Sequence, residues 1–479
     1  MAARFTEDEV LAATGARRLA QVARGGSASS PFEVCTDTRK LSPGCLFVAL
    51  KGERFDAHDF LHKAVEGGAG ALLVEEGHSV LPSLAASAFE GVGVYAVADT
   101  LQGLGALARF HRRRFGADVP VGAVGGSNGK TTTKEMVAAI LETRGPALRT
   151  QGNFNNEVGL PLTLFGFGPE HVAAVLELGM NLAGEMDRLT RIAEPHAAVL
   201  TVIQPEHLEG LGTLEGVAKA ETELFRALGS DATAVVNLDE PLIAREASGL
   251  RCKVVTFGRH EKADVRLVDV EKRGRDGLLA RVQEGGRVWE VPLAFLGEHN
   301  AFNATAAFAL ARALGYSAEA CVTGLGNARP YARRLNVLDA PGGLVVLDDC
   351  YNANTQSVIA ALDTVRDLAA SQGGRAVAVL GDMLELGPGE LDEHRQVGRH
   401  ASAAVELLAL FGPRSKSTCE AAGKGAQFED VGALVEWLRP QLRERDVVLV
   451  KGSRGMRLER VVDALMGRNS SSGQGGGAH

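Results

Sequence analysis

Apolar runs alternate with amphipathic stretches through the first hundred residues of the chain. The pattern predicts an opening helix at Thr6–Ala13, a helix near His58–Gly67 and a strand at Ala71–Glu75. Alternating helix and strand signals are typical of α/β units. We therefore predict that residues 1–98 form a small α/β domain.

A second unit begins near Thr100, where a helix leads into short apolar runs separated by helical stretches. Such a series predicts a wound, mostly parallel sheet. The predicted strands are Val119–Val124, Val172–Leu178, Ala197–Ile203, Ala234–Asn237 and Lys253–Phe257. Residues 263–291 alternate apolar and polar positions and predict antiparallel strands at the sheet edge. A helix at Asn300–Leu314 follows, and this domain is predicted to span residues 99–327.

Strand-like runs and helices alternate again in the last third of the chain. Residues 328–468 are therefore predicted to form a third domain with a mostly parallel sheet. The predicted strands are Gly343–Leu347, Ala376–Leu380, Leu407–Phe411 and Val447–Val450. The tail at 469–479, NSSSGQGGGAH, contains almost no apolar residues, so we predict that it is disordered.

Length and composition narrow the class of protein. A chain of 479 residues is too long to fold around a single hydrophobic core. Its net charge of −8 argues against a nucleic-acid partner. The six cysteines show no metal-like or disulfide-like spacing, and the N-terminus lacks the apolar segment of a signal peptide. The sequence shows no apolar run long enough to predict a membrane span. These features lead us to expect a cytoplasmic protein.

Residues 119–135, VPVGAVGGSNGKTTTKE, contain the strongest functional signal. An apolar strand runs into the glycine turn Gly125–Gly129, and a helix is predicted at Lys134–Thr143. Glycines let backbone N–H groups point at phosphate oxygens, and a helix N-terminus adds the positive end of its dipole. Lys130 can reach terminal phosphates, and the Thr131 hydroxyl can ligate Mg²⁺. The segment predicts a nucleoside triphosphate site.

This loop has the short form G-x-x-G-K-T-T, from Gly126 to Thr132, because Val124 stands where the longer form has glycine. An ordinary glycine-rich turn between a strand and a helix is the alternative. The order of strand, glycines, GKT and helix disfavours that alternative. The loop by itself does not distinguish a kinase, a GTPase, an ATPase or a ligase.

Polar residues after other apolar runs supply further candidates. Glu177 ends a predicted strand beside the phosphate loop, where a carboxylate is costly unless it is paired or metal-bound. An ordinary exposed acid at a strand end is the alternative for Glu177. His207 lies in the turn after another strand, and the alternative is a structural histidine. Asn155 and Asn156 lie in a glycine-rich segment, either as substrate contacts or as turn residues.

Two more segments bring asparagine and aspartate to the ends of elements. Asn300 and Asn303 lie one turn apart at the start of a helix, so both face the same way and can read an adenine edge. Helix capping is the alternative for Asn300. Asp349 ends a strand and can hold ribose hydroxyls, and the alternative is a Mg²⁺ pair formed by Asp348 and Asp349.

Together these segments resemble the Mur ligase family over about residues 30–465. The motifs that carry the resemblance are TDTRKLSPGCLFVALKGERFDAHDF, GGSNGKTTTKE, GNFNNEVGLPLTL, LELGMN, LGEHNAFNATAA, DDCYNAN, LGDMLELG and VKGSRGMRLE. Three of these motifs resemble those of the family branch that adds D-alanyl-D-alanine, namely DDCYNAN, LGDMLELG and VKGSRGMRLE. The resemblance implies an N-terminal domain for a UDP-MurNAc peptide, a central P-loop ATPase domain and a C-terminal Rossmann-like domain.

The reaction that the resemblance implies uses ATP and Mg²⁺ to phosphorylate the terminal carboxylate of UDP-MurNAc-tripeptide. The amine of D-alanyl-D-alanine then attacks the acyl phosphate, as a step of peptidoglycan precursor synthesis. The residues support this chemistry, because phosphoryl transfer between anions needs positive charge such as Lys130, Mg²⁺ and a loop of N–H donors. We expect no nucleic-acid or membrane partner, and we expect a monomer.

The family's functional residues can be carried over position by position. The implied ATP contacts are Gly125, Gly126, Ser127, Asn128, Gly129, Lys130, Thr131, Thr132, Asn300, Asn303, Arg334 and Asp349. The implied metal ligands are Thr131, Glu177, His207 and Glu221, and the implied catalytic residues are Lys130, Glu177 and His207. The implied substrate contacts are Thr36, Asp37, Arg39, Asn155, Asn156, Asn352, Lys451 and Arg454.

Two segments depart from the family pattern. Residues 218–223 read AKAETE, whereas the usual run resembles AKAK-x-E and its second lysine carries a carbamate in many members. Glu221 falls at that position, and we expect it to supply a permanent carboxylate to the metal. Lys219 lies about 200° away around a helix, so both cannot face the metal, and a carbamate on Lys219 is the alternative. Residues 203–206, IQPE, stand where the family often has an asparagine–glycine pair.

Other functions fit parts of the pattern. A sibling ligase with another amino acid substrate, or folylpolyglutamate synthase, would share the ATPase core. The N-terminal TDTRK and HDF segments disfavour the folate enzyme. A P-loop GTPase would leave the third domain without a role, and the sequence has no NKxD or DxxG in a fitting context. A non-catalytic nucleotide-binding scaffold is disfavoured by the combination of Lys130, Thr131 and Glu177.

Overall fold

Three β-sheets follow one another along the chain in a computed structural model of the protein. The structure describes residues 3–20, 31–52, 55–81, 91–115 and 118–468. The tail at 469–479, for which disorder is predicted, lies outside these ranges. Each sheet is accompanied by helices, so the α/β class and the three-domain organisation are confirmed.

The first sheet has six strands in the order β1-β3-β4-β5-β6-β2. Its strands are β1 (Arg4–Phe5), β2 (Arg17–Ala20), β3 (Phe32–Cys35), β4 (Leu46–Val48), β5 (Ala71–Glu75) and β6 (Gly93–Val97), with helices α1 (Glu7–Thr14) and α2 (Leu61–Glu66). Strands β3 to β6 are parallel, and β1 and β2 pair antiparallel at the edges. The predicted strand at 71–75 and both predicted helices of this region are present.

The central sheet has nine strands in the order β15-β14-β13-β12-β11-β10-β7-β9-β8. Its strands are β7 (Val121–Gly125), β8 (Ala147–Arg149), β9 (Ala173–Glu177), β10 (Ala197–Leu200), β11 (Thr233–Asn237), β12 (Lys253–Gly258), β13 (Val265–Lys272), β14 (Leu278–Glu284) and β15 (Arg287–Leu293). The long helices around it are α3 (Thr100–Arg113), α4 (Lys130–Leu141), α6 (Glu185–Ala193), α11 (Glu298–Ala313) and α12 (Ala318–Asn327). The shorter ones are α5 (Gly159–Leu164), α7 (Leu208–Leu211), α8 (Leu214–Glu221), α9 (Glu223–Arg226) and α10 (Pro241–Glu246).

The central strands β7, β9 and β10 are mostly apolar and buried along their whole length, because helices cover both faces of their sheet. Successive side chains point to opposite faces, so Leu176 packs in a cluster with Leu189 of α6, whereas Val175 packs in a cluster with Phe308 of α11. Strands β13, β14 and β15 are antiparallel, as the alternation at 263–291 predicts. The phosphate loop follows β7 at the carboxyl end of this sheet, where wound α/β folds bind ligands.

The third sheet has six strands in the order β16-β17-β21-β18-β19-β20. Its strands are β16 (Asn336–Ala340), β17 (Leu344–Asp349), β18 (Ala376–Gly381), β19 (Leu407–Phe411), β20 (Ala426–Phe428) and β21 (Val447–Lys451), with helices α13 (Thr355–Gln372), α14 (Glu390–Ala404), α15 (Ser415–Ala422), α16 (Val431–Leu438) and α17 (Glu459–Leu465). Apart from the antiparallel edge strand β16, the pairs are parallel, as predicted.

Two element ends near the site differ from the predictions. Helix α4 begins at Lys130 rather than Lys134, because Gly129 adopts a left-handed conformation and starts the helix at once. The strand predicted at 197–203 ends at Leu200. Beyond it the chain bends over the loop, and the Val202 carbonyl accepts a hydrogen bond from the Ser127 N–H at 2.8 Å.

Helix α3 connects the first two sheets. It packs against α1 of the first domain and against α5 and α6 of the central one, and a single hydrophobic cluster contains both Phe5 and Leu176. The boundary at residue 98 therefore stays a prediction, as does the boundary at 327, which coincides with the end of α12. Within the described ranges, no helix combines the length and apolar character needed to cross a membrane.

Candidate functional site

The phosphate loop is held in place by two glycines that no other residue could replace without strain. Gly126 has a φ of 110° and Gly129 a φ of 83°, both in the region that favours glycine. A Cβ on Gly126 would lie 2.3 Å from the hydroxyl of Thr201, and one on Gly129 would lie 2.5 Å from the side-chain oxygen of Asn303. The loop is thus pressed between the end of β10 and the start of α11.

Lys130 lies in the first turn of α4 and is partly buried. Its ammonium contacts the Gly126 carbonyl and lies 3.2 Å from the Ser127 carbonyl. Burial lowers the pKa of this ammonium and nearby carboxylates raise it, and the pKa lies above its usual value. The carboxylates are those of Glu206, Glu221 and Glu177.

Glu177 ends β9 and is only 3% exposed, so it is not an ordinary exposed strand-end acid. Its Oε1 accepts a hydrogen bond from the Asn155 amide at 2.9 Å. Its Oε2 is buried and has no hydrogen-bond partner among the described residues. A buried carboxylate oxygen without a partner is costly, and a cation ligand would remove the cost. The residue fits the predicted Mg²⁺, although its metal role stays a prediction.

Glu221 ends α8 and points at the phosphate loop, where its Oε2 accepts the Gly126 N–H at 2.9 Å. It is 1% exposed, and burial raises its pKa to about 7 despite the nearby Lys130 ammonium. Lys219, two residues earlier, is exposed. The geometry therefore disfavours the alternative in which Lys219 carries a carbamate beside the metal.

His207 lies in a left-handed conformation, with a φ of 51°, immediately before α7. Its Nε2 lies 3.9 Å from the Oε2 of Glu206. Glu206 is the residue that the sequence reasoning missed as a candidate, although it stands in the departing IQPE segment. Its Oε1 is buried and without a hydrogen-bond partner in the described part of the chain. The signal that could have identified Glu206 in the sequence is its position next to His207, the predicted metal-site histidine.

Thr131 is buried, and its hydroxyl accepts a hydrogen bond from Arg334 at 3.0 Å. Arg334 comes from the chain just before β16, and its guanidinium stacks over the Tyr351 ring at 4.3 Å. The third domain therefore reaches the first turn of α4 directly. Thr132, the next residue of that turn, is also buried.

Asn300 and Asn303 face the same way on α11, as predicted, since the Asn303 amide donates to the Asn300 side-chain oxygen at 3.0 Å. Asn300 is not the helix cap, because Gly297 precedes the helix and the Asn300 amide donates to the Leu296 carbonyl at 2.7 Å. Both side chains are buried, and Asn303 lies beside Gly129 of the phosphate loop. The adenine role stays a prediction.

Asp349, at the end of β17, is paired with a buried lysine. Lys451 donates to its Oδ2 at 2.6 Å and to the Asn352 carbonyl at 3.0 Å. The ammonium already balances this carboxylate, which disfavours a Mg²⁺ pair made with Asp348. Asp348 instead accepts the Cys350 N–H at 3.3 Å, and burial raises its pKa.

Three of the predicted substrate contacts lie around this pair in the third domain. Lys451 is buried and donates to Asp349 and to the Asn352 carbonyl, which uses two of the three N–H groups of its ammonium. The Asn352 side chain is exposed, and its oxygen accepts the Ala353 N–H at 2.9 Å. Arg454 is exposed, with its guanidinium 5.4 Å from the Tyr351 ring centre.

The other predicted substrate contacts are divided between the first two domains. Thr36, Asp37 and Arg39 follow β3, and Arg39 forms a two-pronged ion pair with Asp37, which lowers the Asp37 pKa to about 2. In the central domain, the Asn156 oxygen accepts the Gly159 N–H at 2.8 Å and so performs the turn role kept open for it. Asn155 holds Glu177, as described above.

One cluster of metal-type side chains was not predicted. Asp56, His58 and His78 in the first domain bring their ligand atoms within 4.8 Å of one another, and no other group of three acids, cysteines or histidines in the described ranges is gathered so tightly. The predicted metal ligands at the phosphate loop are therefore less closely drawn together in this structure.

Comparison with known proteins decides the family. Residues 33–112 match the family described as "Mur ligase family, catalytic domain", residues 124–311 match "Mur ligase middle domain", and residues 333–454 match "Mur ligase, glutamate ligase domain". The chain belongs to the Mur ligase family. The resemblance inferred from the motifs is confirmed.

Individual relatives of this Mur ligase cover nearly the whole chain. UDP-N-acetylmuramoyl-tripeptide–D-alanyl-D-alanine ligase of Escherichia coli is 40% identical over 439 residues, which is 90% of this chain and 93% of the relative. A crystal structure of MurF from Acinetobacter baumannii superposes with a TM-score of 0.87 at 32% identity, covering 98% of this chain and all of the other. MurF of Thermotoga maritima in complex with ADP superposes with a TM-score of 0.80 at 27% identity, covering 91% and 97%.

Proposed function

We propose that this chain is the ATP-dependent ligase that joins D-alanyl-D-alanine to UDP-MurNAc-tripeptide in peptidoglycan precursor synthesis. The observation that carries this proposal is the 40% identity, over 90% of the chain, to a relative that bears that name. A second relative of the same name, from Bacillus subtilis, is 35% identical over 94% of the chain. The phosphate loop, with Lys130 and the acids around it, supplies the local chemistry that such a ligase requires.

The first step that we propose is phosphoryl transfer to the peptide. A carboxylate oxygen of the tripeptide attacks the γ-phosphorus of ATP, and ADP departs. Lys130 leaves the loop carbonyls and turns its ammonium to the phosphates, and the first N–H groups of α4 face the same charge. Mg²⁺, when bound, would neutralise phosphate oxygens, and Glu177 with its partnerless oxygen is the residue best suited to hold it.

The second step is attack of the D-alanyl-D-alanine amine on the acyl carbon. The amine loses a proton, the peptide bond forms, and inorganic phosphate departs with the former carboxylate oxygen. Water would destroy the acyl phosphate, so the site must exclude it. Arg334 already connects the third domain to Thr131, and we propose that rotation near Gly326–Pro330 closes the site. A radius of gyration that stays unchanged when an ATP analogue and UDP-peptide are added would contradict closure.

The experiment that tests the function is a comparison of acceptors. Phosphate release is measured with ATP, Mg²⁺ and UDP-MurNAc-tripeptide, with D-alanyl-D-alanine, D-alanine, D-glutamate or diaminopimelate as the second substrate. We expect turnover with the dipeptide and little with the others. Faster turnover of UDP-MurNAc-dipeptide with diaminopimelate, or of UDP-MurNAc-L-alanine with D-glutamate, would assign the chain to a sibling ligase instead.

The proposal also covers the metal, the oligomeric state, the domain boundaries and the cellular compartment. We propose that Mg²⁺ is the metal, that the protein acts as a monomer and that the domains divide near residues 98 and 327. We also propose that it works in the cytoplasm, which the six free thiols support because a reducing compartment keeps cysteines unpaired. Size-exclusion chromatography with light scattering tests the monomer, and limited proteolysis tests the boundaries.

A further inference from the structure

Glu206 stands in the turn between β10 and α7, next to His207 and over the phosphate loop. Its side chain is 17% exposed, but its Oε1 atom is buried and has no hydrogen-bond partner among the described residues. Its Oε2 lies 3.9 Å from the His207 ring, too far for a hydrogen bond. One oxygen of this carboxylate is thus buried in the site without a hydrogen-bond donor from the described part of the chain.

The neighbouring acids show what a structural role would look like. Glu223 accepts hydrogen bonds from the Gly184 N–H at 2.9 and 3.0 Å, and so fixes the start of α6. Glu221 accepts the Gly126 N–H. Glu206 and Glu177 differ from these acids, because each keeps one buried oxygen that has no hydrogen-bond partner within the described ranges. A buried acceptor without a hydrogen-bond partner destabilises the protein, so a ligand that contacts these two oxygens would relieve that cost.

The charge around Lys130 indicates the sign of that ligand. The carboxyl groups of Glu206, Glu221 and Glu177 face the Lys130 ammonium, and the Arg334 guanidinium opposes their effect on it. When Lys130 turns to the phosphates, these three acids lose the ammonium that faces them. Two of them present free oxygens, and hard divalent cations prefer carboxylate oxygens. A cation is therefore the ligand that fits the two unpartnered oxygens.

We propose that Glu206 is a second carboxylate ligand, with Glu177, of the divalent cation at the ATP site. This inference rests on the proposed nucleotide site, but not on the identity of the acceptor amino acid. It gives a function to the IQPE segment at residues 203–206, which departs from the family pattern. In this proposal the acid of that segment, Glu206, faces the cation. The competing explanation is that Glu206 only balances the charge of Lys130 and never contacts the metal.

The test measures cation binding without turnover. Mn²⁺ is titrated into the full-length protein saturated with ADP, and bound Mn²⁺ is followed by electron paramagnetic resonance. We expect Glu206→Gln to weaken Mn²⁺ binding roughly tenfold, and Glu206→Asp to weaken it less. Glu215→Gln, which changes an exposed acid in the first turn of α8, is the matched control and should bind Mn²⁺ like the unmodified protein.

Two further measurements keep the outcomes distinct. Metal-free ADP binding, measured by calorimetry in a chelator, should not weaken in Glu206→Gln, because the lost ligand belongs to the cation. Mn²⁺ affinity within twofold of the unmodified protein would overturn the proposal, and an altered metal-free ADP affinity would then favour the charge-balancing role. Failure of the proposed function would appear separately, as an unmodified protein that binds Mn²⁺ and ADP but does not use D-alanyl-D-alanine.

Discussion

Two clusters of acids and histidines lie in different domains and differ in how fully their polar atoms are satisfied. The first, which we call the histidine clasp, consists of Asp56, His58 and His78. His58 Nδ1 donates to Asp56 Oδ1 at 2.6 Å, and its Nε2 accepts the Glu75 N–H at 2.9 Å. The His78 ring stacks on His58 at 4.1 Å and contacts the other Asp56 oxygen at 3.2 Å. Every ligand atom of His58 and Asp56 is in use.

The second cluster, which we call the acidic pocket, consists of Glu177, Glu206, Glu221 and His207 around Lys130. Its atoms are less tightly gathered than those of the clasp. Two of its carboxylates nevertheless keep a buried oxygen with no partner in the described part of the chain. The acidic pocket is therefore incomplete as a hydrogen-bond network, and the clasp is complete.

The two clusters meet different criteria for a metal site, which are short distances between ligand atoms in the clasp and unsatisfied ligand atoms in the acidic pocket. The clasp has the shorter distances, but a cation there would have to displace the Glu75 N–H or remove the proton that His58 shares with Asp56. The acidic pocket has the longer distances and the free lone pairs. Buried polar groups that lack partners in the protein are the ones to which a ligand contributes most.

The largest effect is expected at the centre of the acidic pocket. Lys130→Ala removes the positive charge that faces the phosphates, and we expect kcat to fall roughly 10³-fold, by about 4 kcal/mol. Circular dichroism and thermal unfolding should show that the protein still folds. Near-normal phosphate release by a folded Lys130→Ala protein would remove the basis for assigning the ATP site.

The histidine clasp should respond through stability rather than chemistry. His58→Ala leaves a cavity and deprives both Asp56 and the Glu75 N–H of a partner, so we expect a loss of about 2–4 kcal/mol in the free energy of unfolding. His78→Ala, at a partly buried position, should cost less. Urea denaturation measures both. A Zn²⁺-dependent rise in Tm that disappears in His58→Ala would contradict the structural reading of the clasp.

Substitutions at Glu221 and Lys219 distinguish the two explanations for residues 218–223. Either Glu221 supplies a carboxylate to the metal, or Lys219 carries a carbamate there. Glu221→Ala removes a carboxylate that faces the loop, and we expect kcat/KM to fall tenfold to a hundredfold, by roughly 1.4–2.7 kcal/mol, with a higher Mg²⁺ requirement. Lys219→Ala should be close to normal, because the side chain is exposed, and bicarbonate should have no effect. An inactive Lys219→Ala protein rescued by short-chain acids would reverse the assignment.

The smallest expected effect is a pH-dependent change in the free energy of unfolding of the ligand-free protein. The folded state holds the Glu221 proton up to a pKa of about 7, whereas the unfolded chain loses it near 4.5. The folded state binds more protons between these values, so this group lowers stability as pH rises from 4.5 to 7. Glu221→Gln should therefore be more stable than the unmodified protein at pH 8, by on the order of 1–2 kcal/mol, and similar at pH 4.5.

Urea denaturation at both pH values, without Mg²⁺ and nucleotide, measures this difference. Saturating Mg²⁺ with ADP should reduce it, because a cation favours the ionised carboxylate. A Glu221→Gln protein that is less stable than the unmodified one at pH 8 would show that the Gly126 N–H contact outweighs the cost of burying the charge.

Much of the fold could be predicted because local pattern and tertiary structure agree in the core. The strands at Ala71–Glu75 and Leu407–Phe411 match the predictions at both ends, since their apolar runs are buried on both faces of a sheet. The start of α4 could not be placed, because Thr131 and the threonines after it are weak helix formers that the phosphate loop holds in the first turn. Tertiary contact overrode local propensity at the residues that matter most for the site.

The candidate site divides in the same way. The sequence by itself determined the glycine loop, Lys130, the strand-end Glu177 and the family, because these depend on residue type and spacing along the chain. Only the tertiary structure decided that Glu221 rather than Lys219 faces the loop, that Lys451 is committed to Asp349, and which acids lack partners. The physical reason is that those partners are remote in sequence. Gly126 and Glu221 are 95 residues apart, and Lys451 and Asp349 are 102 apart.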